Sequence, residues 1–383
     1  MTLPIAEEFK EIAHSGGQLV IRIGKDGQGR HGYQLTWQHQ RPVAAAIFAV
    51  YAVPQGFAVG RMDLGGIGSI PNPPPIPGCF QVFIGSDSEG KFGHECPSCQ
   101  GYWRDEAGTG SCPYCGLREG VHTFLTNAQR AYVAQYCAKM CEVLEADVDG
   151  EYVIDMDAVA DAAGKGGVKP PFYYAEESQQ NKYNCKACGS FNDILGKFGY
   201  CSRCGTRNDL QELSEKTIPA LRDRINSGTG FFETYIKEAV AAFDTFVGQH
   251  VTQLVRNVPL TPGRKNRLVE RRFHNLESVA AELKEIFDID ILDGIDADGV
   301  SFAKLMFHRR HLYEHKGGEA DEKYIADSGD TSVRPKQALH ETQESAHRIV
   351  GLVSKMASNL HSGFHNILPP DEGPIRQHQR FRS

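Results

Sequence analysis

Polar and apolar positions follow two different periods along this chain, and the change falls near Leu213. Before it, apolar residues alternate or run in short blocks. Residues 18–24 (QLVIRIG) and 33–38 (YQLTWQ) read as strands joined across the turn-rich GKDGQGRHG. The block VAAAIFAVYAV at 43–53 suits a buried strand or a helix, and its pattern alone does not choose. Residues 64–78, rich in glycine and proline, read as an irregular loop, and CFQVFIG at 79–85 as a returning strand. Thr126 or Asn127 is placed to cap a helix running to about Leu144, with Ala131, Val133, Ala134, Cys137, Met140 and Cys141 in its apolar pattern. A short strand, YVIDM, follows, then the link GKGG and the segment opening with Pro170-Pro171.

Beyond Leu213 the period becomes helical. Phe232, Ile236, Val240, Phe243, Val247, Val251, Leu254 and Val258 form one stripe, and Leu276, Val279, Ala280, Leu283, Ile286 and Phe287 a second. A third runs from Phe302 through Leu305 and Met306 to Leu312 and stops at Gly317-Gly318; a fourth follows Leu339, Ala346, Ile349, Val350, Val353, Met356 and Leu360. These predict an all-α bundle of four or five helices, with the last fifteen residues a loose tail.

Length and charge narrow the class. At 383 residues the chain is too long for one core and predicts two or three domains. Its 23% charged and 40% hydrophobic content is that of an ordinary globular protein, and a net charge of −7 excludes a generally basic nucleic-acid coat. The longest apolar run, 43–53, is about half of a bilayer span, and residues 1–20 have no signal-peptide layout. A soluble, cytoplasmic protein without membrane contact is expected.

Eight of the eleven cysteines fall in CxxC pairs: Cys96/Cys99, Cys112/Cys115, Cys185/Cys188 and Cys201/Cys204. Both sets read C-x2-C-x12-C-x2-C and end in glycine, Gly116 and Gly205. A two-residue gap folds a knuckle that aims both sulfurs at one ion, and two knuckles complete a tetrahedron. Four thiolates leave no open position, so two structural Zn2+ sites in zinc ribbons are expected, with no catalytic metal. Disulfides would leave an odd cysteine over in a reducing compartment, and no βαβ unit supports a redox pair. Cys137 and Cys141, four apart on one helix face, read as ordinary buried residues.

The third apolar helix closes on FHRRHLYEHKGGEADEKYI, in which Arg310, His311, three further residues and His315 form R-H-x3-H. With this motif and its helical setting, residues from about 215 to 365 resemble a HEPN domain, in which a helix ends in an arginine, a polar residue, three positions and a histidine. The resemblance covers about 40% of the chain. It implies a metal-independent endoribonuclease that dimerises through the bundle to form a composite site, as in toxin–antitoxin and antiviral defence systems. It also implies a possible antitoxin or other regulatory partner.

The chemistry suits those residues. Cleaving RNA without a metal uses the ribose 2′-OH as nucleophile and needs a base active near neutral pH, which histidine supplies. It also needs a fixed cation on the phosphate, where arginine's planar fork binds at two points. His315 is therefore the expected general base or acid, Arg310 the phosphate clamp, and His311 a companion in substrate orientation or proton transfer. Five helical residues turn through about 500°, so Arg310 and His315 leave a straight helix roughly 140° apart. Convergence is expected beyond a helix end or across a two-fold axis.

Arg309 reads as a further phosphate contact or a surface charge. Arg264, Lys265, Arg267, Arg271 and Arg272 crowd one segment and read either as an RNA phosphate patch or as a solvated helix start. Tyr102, Trp103, Phe191, Phe198 and Tyr200 would either stack on bases or cover the metals.

The expected architecture is multidomain α+β: a β-rich module at 1–94, zinc ribbon 1 at 95–120, a helical insert and linker at 121–170, zinc ribbon 2 at 171–212, a HEPN-like bundle at 213–368 and a flexible tail at 369–383. The expected function is RNA cleavage, with the ribbons recognising RNA, a partner or a trigger. The alternative is a non-catalytic RNA-binding or sensor protein with an inactive bundle.

Overall fold

Leu19, Ile21 and Ile23 are buried along one face of β1 (Gln18–Lys25), and on the other face Val20 is buried while Arg22 is exposed, so the second face is covered only in part. The computed structural model describes residues 9–13, 17–25, 27–38, 46–64, 70–106, 108–146, 148–164, 172, 179–228, 231–269 and 275–382. Arg271, Arg272, most of the GKGG link and Pro170-Pro171 lie outside them. The fold is mixed α+β and divides into two compact units, Met1–Gly205 with Asp371–Ser383, and Thr206–Pro370. Among the described residues no helix is long and apolar enough to cross a membrane.

In the first unit β1 pairs antiparallel with β2 (His31–Gln38) on one side and β8 (Gly150–Asp155) on the other. The ambiguous block resolves as a strand: β3 (Ile47–Ala52), flanked by β4 (Ala58–Met62) and β5 (Phe80–Gly85). Its residues are covered on both faces, which explains the absence of alternation. Helix α1 (Asn127–Ala146) starts in a reciprocal cap, Thr126 Oγ1 accepting from Gln129 N–H while the Gln129 side chain accepts from Thr126 N–H. Its Tyr132, Val133, Tyr136, Cys137 and Met140 enter one core with Leu19, Ile21, Val50 and Ile84. Cys141 is only half-buried.

Two expectations about organisation change here. The segment 121–170 is no insert between ribbons, because α1 fills the core of the β-rich module and β8 completes one of its sheets. The two ribbons are also not separate. Strands β6 (Phe92–Glu95) and β7 (Tyr102–Asp105) of the first join β9 (Gln180–Asn184) and β10 (Phe191–Leu195) of the second in one sheet of order β6-β7-β10-β9. Its seam pairs Asn192 with Asp105 and Asp193 with Arg104.

The second unit is helical. The four apolar stripes correspond to α5 (Phe232–Asn257), α7 (Leu276–Phe287), α8 (Ala297–His315) and α10 (Gln343–Ile367). Val240, Phe243, Val247 and Leu254 of α5 are buried, as are Ile349, Val353, Met356 and Leu360 of α10 and Ala303, Met306 and Phe307 of α8. Phe243 and Phe307 meet edge-to-face at 5.8 Å. Shorter helices carry no long stripe and lie outside the expected count, among them α4 (Ile218–Ser227), α6 (Pro262–Val269) and α9 (Glu322–Ser328). Helix α8 ends with Gly318 N–H reaching back to Leu312 O at 3.1 Å, and Gly317 and Gly318 take the positive φ that this reversal needs.

His250 is buried in this unit and His361 half-buried, their ring centroids 5.7 Å apart, and the His361 and His365 rings meet edge-to-face at 4.6 Å. Burial pushes His250 down to about 4 and His361 down to about 2, with Arg207 and the adjoining imidazoles adding to the effect. Both therefore stay neutral in the folded protein where an unfolded chain, with histidine near 6.5, binds protons. Stability is complete above about pH 6.5 and falls as pH drops towards 4, by roughly 1.4 kcal/mol per pH unit for each histidine. Urea midpoints of this unit's transition at pH 7.5 and 5.5 should separate, and His361→Phe should narrow the gap. Coincident midpoints would contradict this account.

Candidate functional site

Four sulfurs converge twice. In the first cluster Cys96 and Cys115 Sγ lie 3.6 Å apart, as do Cys99 and Cys112. In the second, Cys185–Cys204 and Cys188–Cys201 lie at 3.7 and 3.6 Å. In each, one ligand atom from every cysteine falls within 4.8 Å of all the others. A tetrahedral ion with Zn–S bonds of about 2.3 Å needs sulfurs about 3.8 Å apart, so both groups fit zinc and would hold it through thiolates alone.

The knuckles repeat one turn. The residue after each CxxC donates its N–H to the carbonyl of the first cysteine: Gln100 to Cys96, Gly116 to Cys112, Gly189 to Cys185 and Gly205 to Cys201. All four take positive φ, between 58° and 76°, which three glycines adopt without strain. Asn192, unremarked in the sequence, donates Nδ2–H to Cys201 Sγ at 3.6 Å and accepts from Ser202 N–H at 2.7 Å, orienting one ligand from outside the tetrahedron. Tyr114 ties the ribbons together, donating to Tyr102 O and accepting from Leu195 N–H. Tyr102, Trp103 and Tyr200 are buried and unavailable for base stacking, while Phe191 and Phe198 are half-buried beside Lys91 and Lys197.

In the helical unit the motif borders a cleft of about 340 Å³. Lys304, His308, Arg310, His311, Lys316 and Lys323 line it, against three carboxylates, Glu277, Asp321 and Asp327. Lys304 is paired with Glu277 at 2.6 Å and Lys316 with Asp321. Four cations thus face three carboxylates in the cleft, with Arg310 and His311 on its wall.

His315 does not line that cleft. It is the last residue of α8, so no helix end relieves the angular separation, and its side chain is 58% exposed. Two contacts nevertheless draw the motif together. The His311 and His315 rings lie 4.8 Å apart, one turn along the helix. Glu314 Oε2 accepts from Arg310 Nη2 at 2.9 Å and stands 3.9 Å from His315 Nε2, so guanidinium and imidazole are no farther apart than those two distances combined. Glu314, not singled out in the sequence, places its carboxylate between the Arg310 guanidinium and the His315 imidazole.

Arg309 departs from its expected role as a phosphate contact. It is 12% exposed, and its guanidinium donates to Asp330 at 2.8 Å, Glu341 at 3.0 Å and Tyr324 Oη at 3.1 Å. Burial raises Asp330, but hydrogen bonds from Ser332, Tyr324 and Arg309 outweigh it and hold the carboxyl well below the usual range. Arg309 is a structural cation that fastens α8 to the segment after α9. Arg264, Lys265 and Arg267 are exposed on α6, with Arg267 engaged by Glu285 at 3.1 Å.

The chain matches no family model, no curated protein and no solved structure. The geometry therefore carries the functional argument alone.

Proposed function

We propose that this protein is a metal-independent endoribonuclease of the HEPN type. The observation that carries the reading is the grouping at the end of α8: Arg310 and His311 on the wall of a cleft, with His315 adjoining His311 and Glu314 standing between His315 and Arg310. In this reading an incoming phosphate displaces Glu314 from Arg310, and the guanidinium clamps the phosphate at two points. One imidazole takes the proton of the 2′-OH, O2′ attacks the adjacent phosphorus, and the 5′-oxygen leaves with a proton from an imidazole. The products are a 2′,3′-cyclic phosphate and a 5′-hydroxyl. His315 is exposed enough to meet a nucleotide, and pairing of two α8 ends across a two-fold axis would join two such sets. The ribbons would supply RNA, partner or trigger recognition, in a toxin or phage-defence setting.

Cleavage of total RNA should persist through brief exposure to EDTA and leave 2′,3′-cyclic ends. Products with a 3′-hydroxyl would refute this chemistry. The second reading, a binding or sensor protein without turnover, draws support from the same Glu314, which already occupies Arg310. Binding with no products across pH 5–8 would favour it.

A further inference from the structure

The last residues, expected to be a loose tail, form helix α11 (Glu372–Arg382). Asp371 caps it by accepting from Gly373 N–H at 2.8 Å. Pro374 sits in the first turn, where no intrahelical N–H is lost. No α11 residue is fully buried, so core packing does not account for the helix.

It is instead fastened to the second ribbon. Asp371 N–H donates to the carbonyl of the zinc-ligand residue Cys204 at 2.7 Å, and Arg203 donates to Gln377 at 2.8 Å. Ile375 packs against the cysteine-lined core. The His378 ring lies so close over Gly189 that a Cβ there would sit 2.5 Å from it, so a larger residue in that knuckle would displace the ring. Ile375 and His378, three apart, mark the inward face.

Arg376 and Arg380, one turn apart, leave the opposite face, with Glu372 3.9 Å from Arg376. Arg382 and Phe381, the latter 82% exposed, stand at the helix end, and Lys186 in the adjoining knuckle is also exposed. A polar cavity of about 160 Å³ opens between knuckle and helix, lined by Arg203, His378, Ser190 and Ser202. The Ser202 hydroxyl is buried there without a hydrogen-bond partner. Two carboxylates also border the cavity, Asp105, whose Oδ1 lies 3.1 Å from His94, and Glu106, paired with Lys91 at 2.8 Å. In a chain of net charge −7, this concentration of cations is a local exception.

We propose that the exposed surface of α11, with its three arginines and Phe381, presented by the second ribbon, binds single-stranded nucleic acid. The arginines track phosphates and Phe381 stacks on an unpaired base, a combination that fits a single strand better than a duplex with its bases enclosed. This surface belongs to the first unit and the α8 cleft to the second, and binding here does not depend on cleavage there.

The test uses the full-length zinc-loaded protein and a labelled single-stranded DNA 20-mer, which has no 2′-hydroxyl to be attacked. Affinity is measured over a range of salt. Wild type should bind with a steep salt dependence. R376S/R380S/R382S, at exposed positions and with zinc content checked, should lower the slope by about 2, at about 0.7 per phosphate contact, and weaken binding at least ten-fold at low salt. Phe381→Ser should weaken binding several-fold with the slope unchanged. Wild-type binding and slope in the triple variant, failure of wild type to bind at low salt, or preference for duplex over single strand would each overturn the proposal. None of these outcomes depends on whether the helical unit cuts RNA.

Discussion

Serine at Cys201 is expected to remove one zinc ion per chain and unfold the second ribbon. The ribbon core has few apolar side chains beyond the ligands, chiefly Trp103, Phe124, Tyr183 and Ile194 across both ribbons. So small a core cannot offset chain entropy by itself, and metal coordination supplies the difference. Structural zinc sites of this kind contribute about 10–16 kcal/mol in isolated peptides, more than a typical domain's whole stability. The loss should spread, because the β7–β10 pairing and Tyr114 join the two ribbons in one sheet. Metal analysis should give about two zinc ions per chain in wild type and one or fewer in Cys201→Ser, with a lower melting temperature. Cys137→Ala, at a buried cysteine outside both clusters, should keep both ions. A Cys201→Ser protein with two zinc ions and unchanged melting would sink the assignment.

His315→Ala and Arg310→Ala should each suppress RNA cleavage while zinc content and melting temperature stay at wild-type values. Loss of a general acid–base group costs about 10²–10⁴ in rate. Loss of a cation that holds transition-state charge costs about 10²–10³. The double variant should be little worse than the weaker single one, since groups that act as a unit do not add. His311→Ala should fall between these and wild type if His311 shares proton transfer. Full activity in His315→Ala would refute the catalytic assignment outright. Arg309→Ala is a poor comparator, because removing that guanidinium strands buried Asp330 and Glu341 without their cation.

Arg309 and Arg310 also show where reading from sequence stops. The two are adjacent and chemically identical, yet one is locked among Asp330, Glu341 and Tyr324 while the other lines a cleft. Those acidic partners lie 21 and 32 residues away, beyond the reach of any local pattern. Glu314 was equally silent: an acid before a histidine has no meaning until its carboxylate is seen between a guanidinium and an imidazole. The aromatic candidates Tyr102, Trp103 and Tyr200 were undecided for a related reason. An aromatic beside a metal knuckle carries the same signal whether it faces solvent or, like Trp103, the interior.

By itself the chain specified what neighbours within a few residues decide. The cysteine spacing defined both tetrahedra, because a knuckle is closed by its own backbone. The apolar stripes located α5, α7, α8 and α10, because helical faces repeat every three or four residues. Tertiary structure decided what depends on residues far apart: β8 paired with β1, two ribbons merged in one sheet, three histidines gathered in the helical unit, and a polar tail ordered on Gly189 and Cys204. Local hydrogen bonds and periodic burial act over one turn and leave their mark in the order of residues. Long-range contacts draw their energy from surfaces that meet only after folding, so no stretch of sequence records them.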